Sequence, residues 1–132
     1  MARTLKAIAL VLTIAAGSVG TDSSLGPHWR VRLSPVVARG IASWYGREFQ
    51  GKEMATGQPY NMFRLTCAHR TLPLSTQIKV TNLENKRSLF LRVTDRGPFV
   101  PHRVLDVSYA AARALGFAGA GITRVEIQVV QR

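Results

Sequence analysis

Cysteine is almost absent: Cys67 is the only one in 132 residues. A lone thiol closes no intrachain disulfide, and without a Cys/His cluster it offers no zinc site. The three histidines, His28, His69 and His102, lack metal-ligand spacing. No metal and no cofactor is expected. Long apolar runs are missing too. The stretch Ala7 to Ala16, with Thr13 inside it, is far shorter than the ~20 residues a membrane-spanning helix needs. Acids are scarce: seven Asp+Glu stand against 18 Lys+Arg, a formal charge of +11. Acid–base chemistry must therefore come from a very short list of residues. No internal repeat at a period of 20–50 residues is visible, which excludes solenoids and propellers.

What is present describes one small exported domain. A hydrophobic fraction of 46% with 19% charged residues suits a chain that buries a core. Arg3 and Lys6 form a positive head, the Ala7–Ala16 run follows, and Ala15 to Ser18 supply a small-residue exit. That order marks residues 1–20 as a secretory signal peptide. Its removal takes Arg3 and Lys6 with it, so the charge falls from +11 to +9. The mature protein is expected in the periplasm or outside the cell, as a monomer. No cysteine flanks the cleavage region, so neither a lipid anchor nor another stable membrane anchor is expected. The remaining positive charge favours polyanions in general, and export argues against nucleic acid among them.

Residues 21–37 contain Asp22, Ser23, Ser24, Gly26 and Pro27 without apolar periodicity and read as a flexible linker. The domain proper is expected over residues 38–132. Arg39 to Tyr45 has strand character. Gln77 to Leu83 alternates, and Ser88 to Thr94 is apolar again after a polar connection, which makes a β-hairpin. Thr123 to Val130 alternates Val125, Ile127 and Val129 against Arg124, Glu126 and Gln128. One helix is expected over Tyr109 to Leu115, with Ser108 as its N-cap and Gly116 ending it. Many short strands with one short helix point to a small closed β-barrel. Cys67, between Thr66 and Ala68, reads as a buried core thiol.

With Asp22 in the linker, Glu84 in the hairpin connection and Glu126 on a solvent-side position, the candidate acids are Asp95 and Asp106, then Glu48 and Glu53. Asp95 opens the Asp95-Arg96-Gly97-Pro98-Phe99 turn at a strand end, a common catalytic placement. On composition alone it better suits an Asx-type turn in which the carboxylate bonds backbone N–H groups or pairs with Arg96 or Arg92. Asp106 is expected just before the helix, stabilised by the helix N-terminus, and so a structural carboxylate rather than a proton donor.

Six ordered blocks carry a resemblance: Ala42–Gly46 (ASWYG), Ala55–Gly57 (ATG), Ala68–Pro73 (AHRTLP), Val80–Leu83 (VTNL), Asp95–Phe99 (DRGPF) and Leu105–Ser108 (LDVS). In this order they resemble the rare lipoprotein A family. The resemblance implies a six-stranded double-psi β-barrel, related to expansins and barwin-like domains. It also implies endolytic lytic transglycosylase activity on peptidoglycan glycan strands that lack stem peptides. The resemblance makes Asp95 and His69 catalytic. Gln58 stands where the family has Glu, and Asn61 where it has Asp; these amides keep hydrogen bonding but lose the titrating proton. Gln58, Asn61, Tyr60, Trp44 and Arg96 are then substrate-binding residues. Trp44 and Phe99 suit either a glycan groove or the core. A non-catalytic, expansin-like glycan-binding module is the alternative reading.

Overall fold

The structure, a computed structural model, describes residues 31–131; the expected signal peptide and residues 21–30 of the expected linker lie outside them. Six strands form among the described residues: β1 (Arg32–Tyr45), β2 (Thr66–Ala68), β3 (Gln77–Asn82), β4 (Ser88–Asp95), β5 (Arg103–Ser108) and β6 (Ile122–Gln131). A single α-helix, α1 (Tyr109–Leu115), connects the last two. The strands close on themselves in the order β1-β5-β2-β4-β3-β6. β1 runs parallel to β5 and β2 parallel to β4, and the other contacts are antiparallel. This is a mainly-β, six-stranded double-psi barrel with one short helix, as the sequence led us to expect. Closure pairs every strand on both sides, so no sheet edge is left open.

Alternation builds the core. Ile78 and Val80 from β3, Leu91 and Val93 from β4, Leu105 and Val107 from β5, and Val125 and Ile127 from β6 all point inward. Cys67 joins them fully buried, and burial pushes its thiol pKa up, which leaves it an inert core group. Buried Asn82 uses both ends of its amide. Its Nδ2 donates to the Leu115 carbonyl at 2.8 Å, and its Oδ1 accepts from the Thr123 hydroxyl at 2.7 Å.

The strand β1 begins at Arg32, inside the stretch expected to be linker up to residue 37. Leu33 pairs with Val130 and Val36 with Gln128 on β6, while Ser34 is buried and its hydroxyl accepts from the Val129 N–H at 2.8 Å. Register shifts on either side of Val36 break the alternation that would have marked this strand in the sequence.

Ser108 caps α1, its hydroxyl accepting from the Ala111 N–H at 3.2 Å, and Gly116 ends the helix with φ of 84°. The β3–β4 hairpin reaches over that end, where Asn85 Nδ2 donates to the Leu115 carbonyl at 2.9 Å. A Cβ on Gly116 would meet this Asn85 nitrogen at 2.7 Å, so the position requires glycine for space as well as for backbone. Asp106 sits within β5, two positions before the capping Ser108. The expectation that it serves the helix N-terminus is therefore corrected: Ser108 does that work.

Candidate functional site

Inward-pointing Leu105 and Val107 force Asp106 onto the outer face of the barrel. Register does the rest. Ala68 on β2 is the partner of Asp95 on β4 and of Asp106 on β5, while Asp106 is also the partner of Ser43 on β1. The two aspartates thus lie two strands apart, about 10 Å between Cα atoms from ordinary strand spacing. Between them on β2 stands Ala68. Asp95, Asp106, Ala68 and Ser43 all line one outer groove of about 470 Å³.

The connection between β1 and β2, residues 46–65, supplies the facing wall. It starts with a short 3-10 turn, Arg47–Phe49, and folds back through a bridge between Glu53 and Pro59. Met54, Tyr60 and Met62 bury themselves beneath it against Tyr45 and Tyr109, a satellite cluster separate from the barrel core. Glu48 and Glu53 also line the groove. All four candidate acids of the sequence therefore converge on one place, with Lys52, Arg96 and Arg103 among them.

Asp95 is held by one oxygen. Its Oδ1 accepts from the Ala55 N–H at 3.0 Å and from the Arg96 N–H at 2.9 Å, and Oδ2 takes neither bond. The turn after it contains a cis Gly97–Pro98 peptide bond. Asp106 is held differently, by a short hydrogen bond from the Ser43 hydroxyl and by Arg103 Nε at 3.7 Å.

The remaining expected site residues separate into three groups. Arg96 lines the groove, but its Nη1 donates to the His69 and Leu72 carbonyls at 3.1 and 2.6 Å, tying that turn to the end of β4. Trp44 borders the groove with its ring against Tyr109 and its Nε1 donating to the Ala118 carbonyl at 3.1 Å. Tyr60 is 2% exposed, stacked on Tyr45 at 4.5 Å, and its hydroxyl donates to the Tyr45 carbonyl at 2.6 Å. Burial pushes its pKa up to about 12. It builds the floor and presents no free ring face.

His69 is in neither groove lining. Its Nδ1 accepts from the Thr71 and Leu72 N–H groups, both at 3.1 Å, and the His69 backbone N–H donates to the Asp95 carbonyl at 3.1 Å. Burial first, then Arg70 and Arg96, lowers its pKa. Gln58 and Asn61 lie apart from the aspartates, along a second groove of about 660 Å³.

Tyr45, in the ASWYG block beside Trp44 and one of the aromatics the sequence offered for a glycan groove, lines the groove with its hydroxyl buried and without a hydrogen-bond partner among the described residues. Its pKa is raised, by burial first, then by Tyr60 and Asp95, with Asp106 contributing as well. Sequence reasoning missed Phe49, 43% exposed on the rim. Phe99, considered for groove or core alike, is 79% exposed on the same rim.

The lytic transglycolase family matches residues 37–127. The endolytic peptidoglycan transglycosylase RlpA of Pseudomonas aeruginosa (strain UCBPP-PA14) is 49% identical over 89 residues, 67% of this chain and 26% of that protein. The probable endolytic peptidoglycan transglycosylase RlpA of Synechocystis is 51% identical over 95 residues, 72% of this chain and 30% of that protein. The Vibrio cholerae RlpA is 43% identical over 107 residues, 80% of this chain and 41% of that protein. The chain thus spans between about a quarter and two fifths of these relatives' length. Among solved structures, the apo form of the Clavibacter michiganensis expansin is similar with a TM-score of 0.56 at 26% identity, covering 70% of this chain and 50% of that one. The Streptomyces papain inhibitor shares the fold, with a TM-score of 0.54 at 20% identity over 70% of this chain and 96% of that one.

Proposed function

This chain belongs to the lytic transglycolase family, and from that premise we propose that its outer groove cleaves peptidoglycan glycan strands, leaving 1,6-anhydro ends, outside the cytoplasm. The observation that carries the proposal is the pair Asp95 and Asp106 flanking Ala68, in a groove rimmed by exposed Phe49 and Phe99. The aromatic rings are the stacking platforms a pyranose chain requires. The strands assigned to it are those without stem peptides, as the family resemblance implies.

In the proposed step the Asp95 carboxyl gives its proton to the glycosidic oxygen as the bond to C1 breaks. The 6-hydroxyl oxygen of the same sugar bonds to C1, and its proton passes to the Asp95 carboxylate. Asp95 ends as it began, one strand ends in a 1,6-anhydro sugar, and the other carries a free hydroxyl. No water is consumed. Hydrolysis would instead need a second carboxyl group to activate water. Asp106, tied to Ser43 and facing Arg103, is assigned to orienting the sugar hydroxyls.

A glycan-binding module without cleavage is the second reading, favoured by the neutral Gln58 and Asn61. Incubation of the purified protein with amidase-treated peptidoglycan, followed by mass spectrometry, separates the two. Anhydro ends are expected; their absence while the strands still bind establishes the second reading instead.

A further inference from the structure

The two grooves differ sharply in charge. All four candidate acids line the first. The second contains no acidic residue in its lining, while Arg64, Arg92, Gln58, Asn61, Thr66 and Ser75 surround it with donors. Arg92 sits opposite Thr66 in the β2–β4 register, so both side chains face the same way. Its Nη1 donates to the Ser75 carbonyl at 2.9 Å, which fixes the guanidinium and leaves its other N–H groups for a ligand. The Thr66 hydroxyl is buried with no hydrogen-bond partner among the described residues. A buried donor of this kind beside a fixed guanidinium suits an anion.

The grooves are neighbours. Met54 lines both, and the successive residues Thr94 and Asp95 face the second and the first respectively. The segment between them is pinned by two bonds, Ala55 N–H to Asp95 Oδ1 at 3.0 Å and Thr56 N–H to the Thr94 carbonyl at 3.3 Å. The two grooves therefore open on either side of one short, fixed segment.

We propose that the second groove is a carboxylate subsite, in which Arg64, Arg92 and the Thr66 hydroxyl bind the carboxylate of an acidic sugar in the same glycan strand. This rests on the strand-binding reading of the first groove. Gln58 and Asn61 suit the role because neutral amides donate to a carboxylate, whereas acids at those positions would repel it.

The test uses amidase-treated glycan strands and the same strands with their carboxyl groups reduced to alcohols. Binding is followed by calorimetry, and cleavage by mass spectrometry in parallel. The wild-type protein is expected to bind the carboxylated strands about tenfold or more tightly than the reduced ones, the worth of a charge-assisted contact. Arg64→Gln and, independently, Gln58→Glu are each expected to erase most of that preference, lowering affinity for the carboxylated strands about tenfold or more and for the reduced strands much less. Thermal melts establish that each variant is folded, and either folded variant suffices. Equal binding of the two strand types by wild type overturns the proposal, as does a preference that survives in a folded variant. Sodium sulfate competing as strongly as the strand would show a generic anion site and also overturn it. Cleavage without carboxylate preference sinks only this subsite. Carboxylate preference without cleavage sinks only the proposed reaction.

Discussion

The Oδ1 atom of Asp95 accepts a hydrogen bond from the backbone N–H of Ala55, forty residues earlier, at 3.0 Å. This bond ties the end of β4 to the connection after β1, and so fixes one wall of the groove against the other. It also orients the carboxyl, because the Arg96 N–H falls on the same oxygen. Of the two readings open for Asp95 in the sequence, Asx-type turn and catalytic acid, the turn contact uses one oxygen only. The other remains for a ligand.

Asp95→Asn tests that division. The amide oxygen keeps both backbone bonds, so melting should change little. The transferable proton is gone, so anhydro-end formation should fall by about 10²-fold or more. A folded, fully active variant would remove Asp95 from the chemistry.

Ala68 sets the gap between Asp95 and Asp106, and any larger side chain there enters the groove. Ala68→Val suits a strand, so the fold is expected to hold. Glycan cleavage should drop at least tenfold, mainly by raising KM as the strand loses its seat. Unchanged kinetics would mean the glycan does not pass between the aspartates.

Much of the barrel was legible beforehand. The β3–β4 hairpin, the capped helix from Tyr109 to Leu115 and the last strand all carried local signals, namely alternation, a Ser N-cap and a left-handed glycine. Asp106 was misassigned because Ser108 followed so closely, although its flanking Leu105 and Val107 already marked a strand with Asp106 on the outer side. The separation of Gln58 and Asn61 from Asp95 had no such signal. The connection 46–65 has neither helical nor strand periodicity, and its course is set by Met54, Tyr60 and Met62 burying together. Long-range packing of that kind leaves no pattern in neighbouring residues.

His69 predicts a pH dependence of stability. Its Nδ1 must be unprotonated to accept from Thr71 and Leu72, and burial with Arg70 and Arg96 lowers its pKa below the ordinary 6.5. The unfolded chain therefore takes up its proton first as pH falls. The stability due to neutral His69 is full above about pH 6.5 and is lost progressively as pH falls below it. Melting temperatures from pH 7.5 to 5.5 should drop more steeply for wild type than for His69→Asn. Parallel slopes would show that the ring nitrogen contributes nothing to the fold.

The Tyr45 hydroxyl is a donor held near both aspartates with no hydrogen-bond partner among the described residues. Its raised pKa keeps it protonated throughout the working range, so it acts only as an O–H donor or as an acceptor through its lone pairs. Leaving it unpaired costs stability that a purely structural tyrosine would avoid. Tyr45→Phe deletes that oxygen while preserving the stack on Tyr60 and the edge contact with Phe49. The variant should therefore be as stable as wild type, or more stable by up to about 1 kcal/mol, since a buried unsatisfied group is gone. Cleavage should fall about tenfold or more, because the hydroxyl would find its partner in the bound sugar. Melting and kinetics must then move in opposite directions. A variant that is both less stable and equally active would place the hydroxyl in the fold rather than in the chemistry.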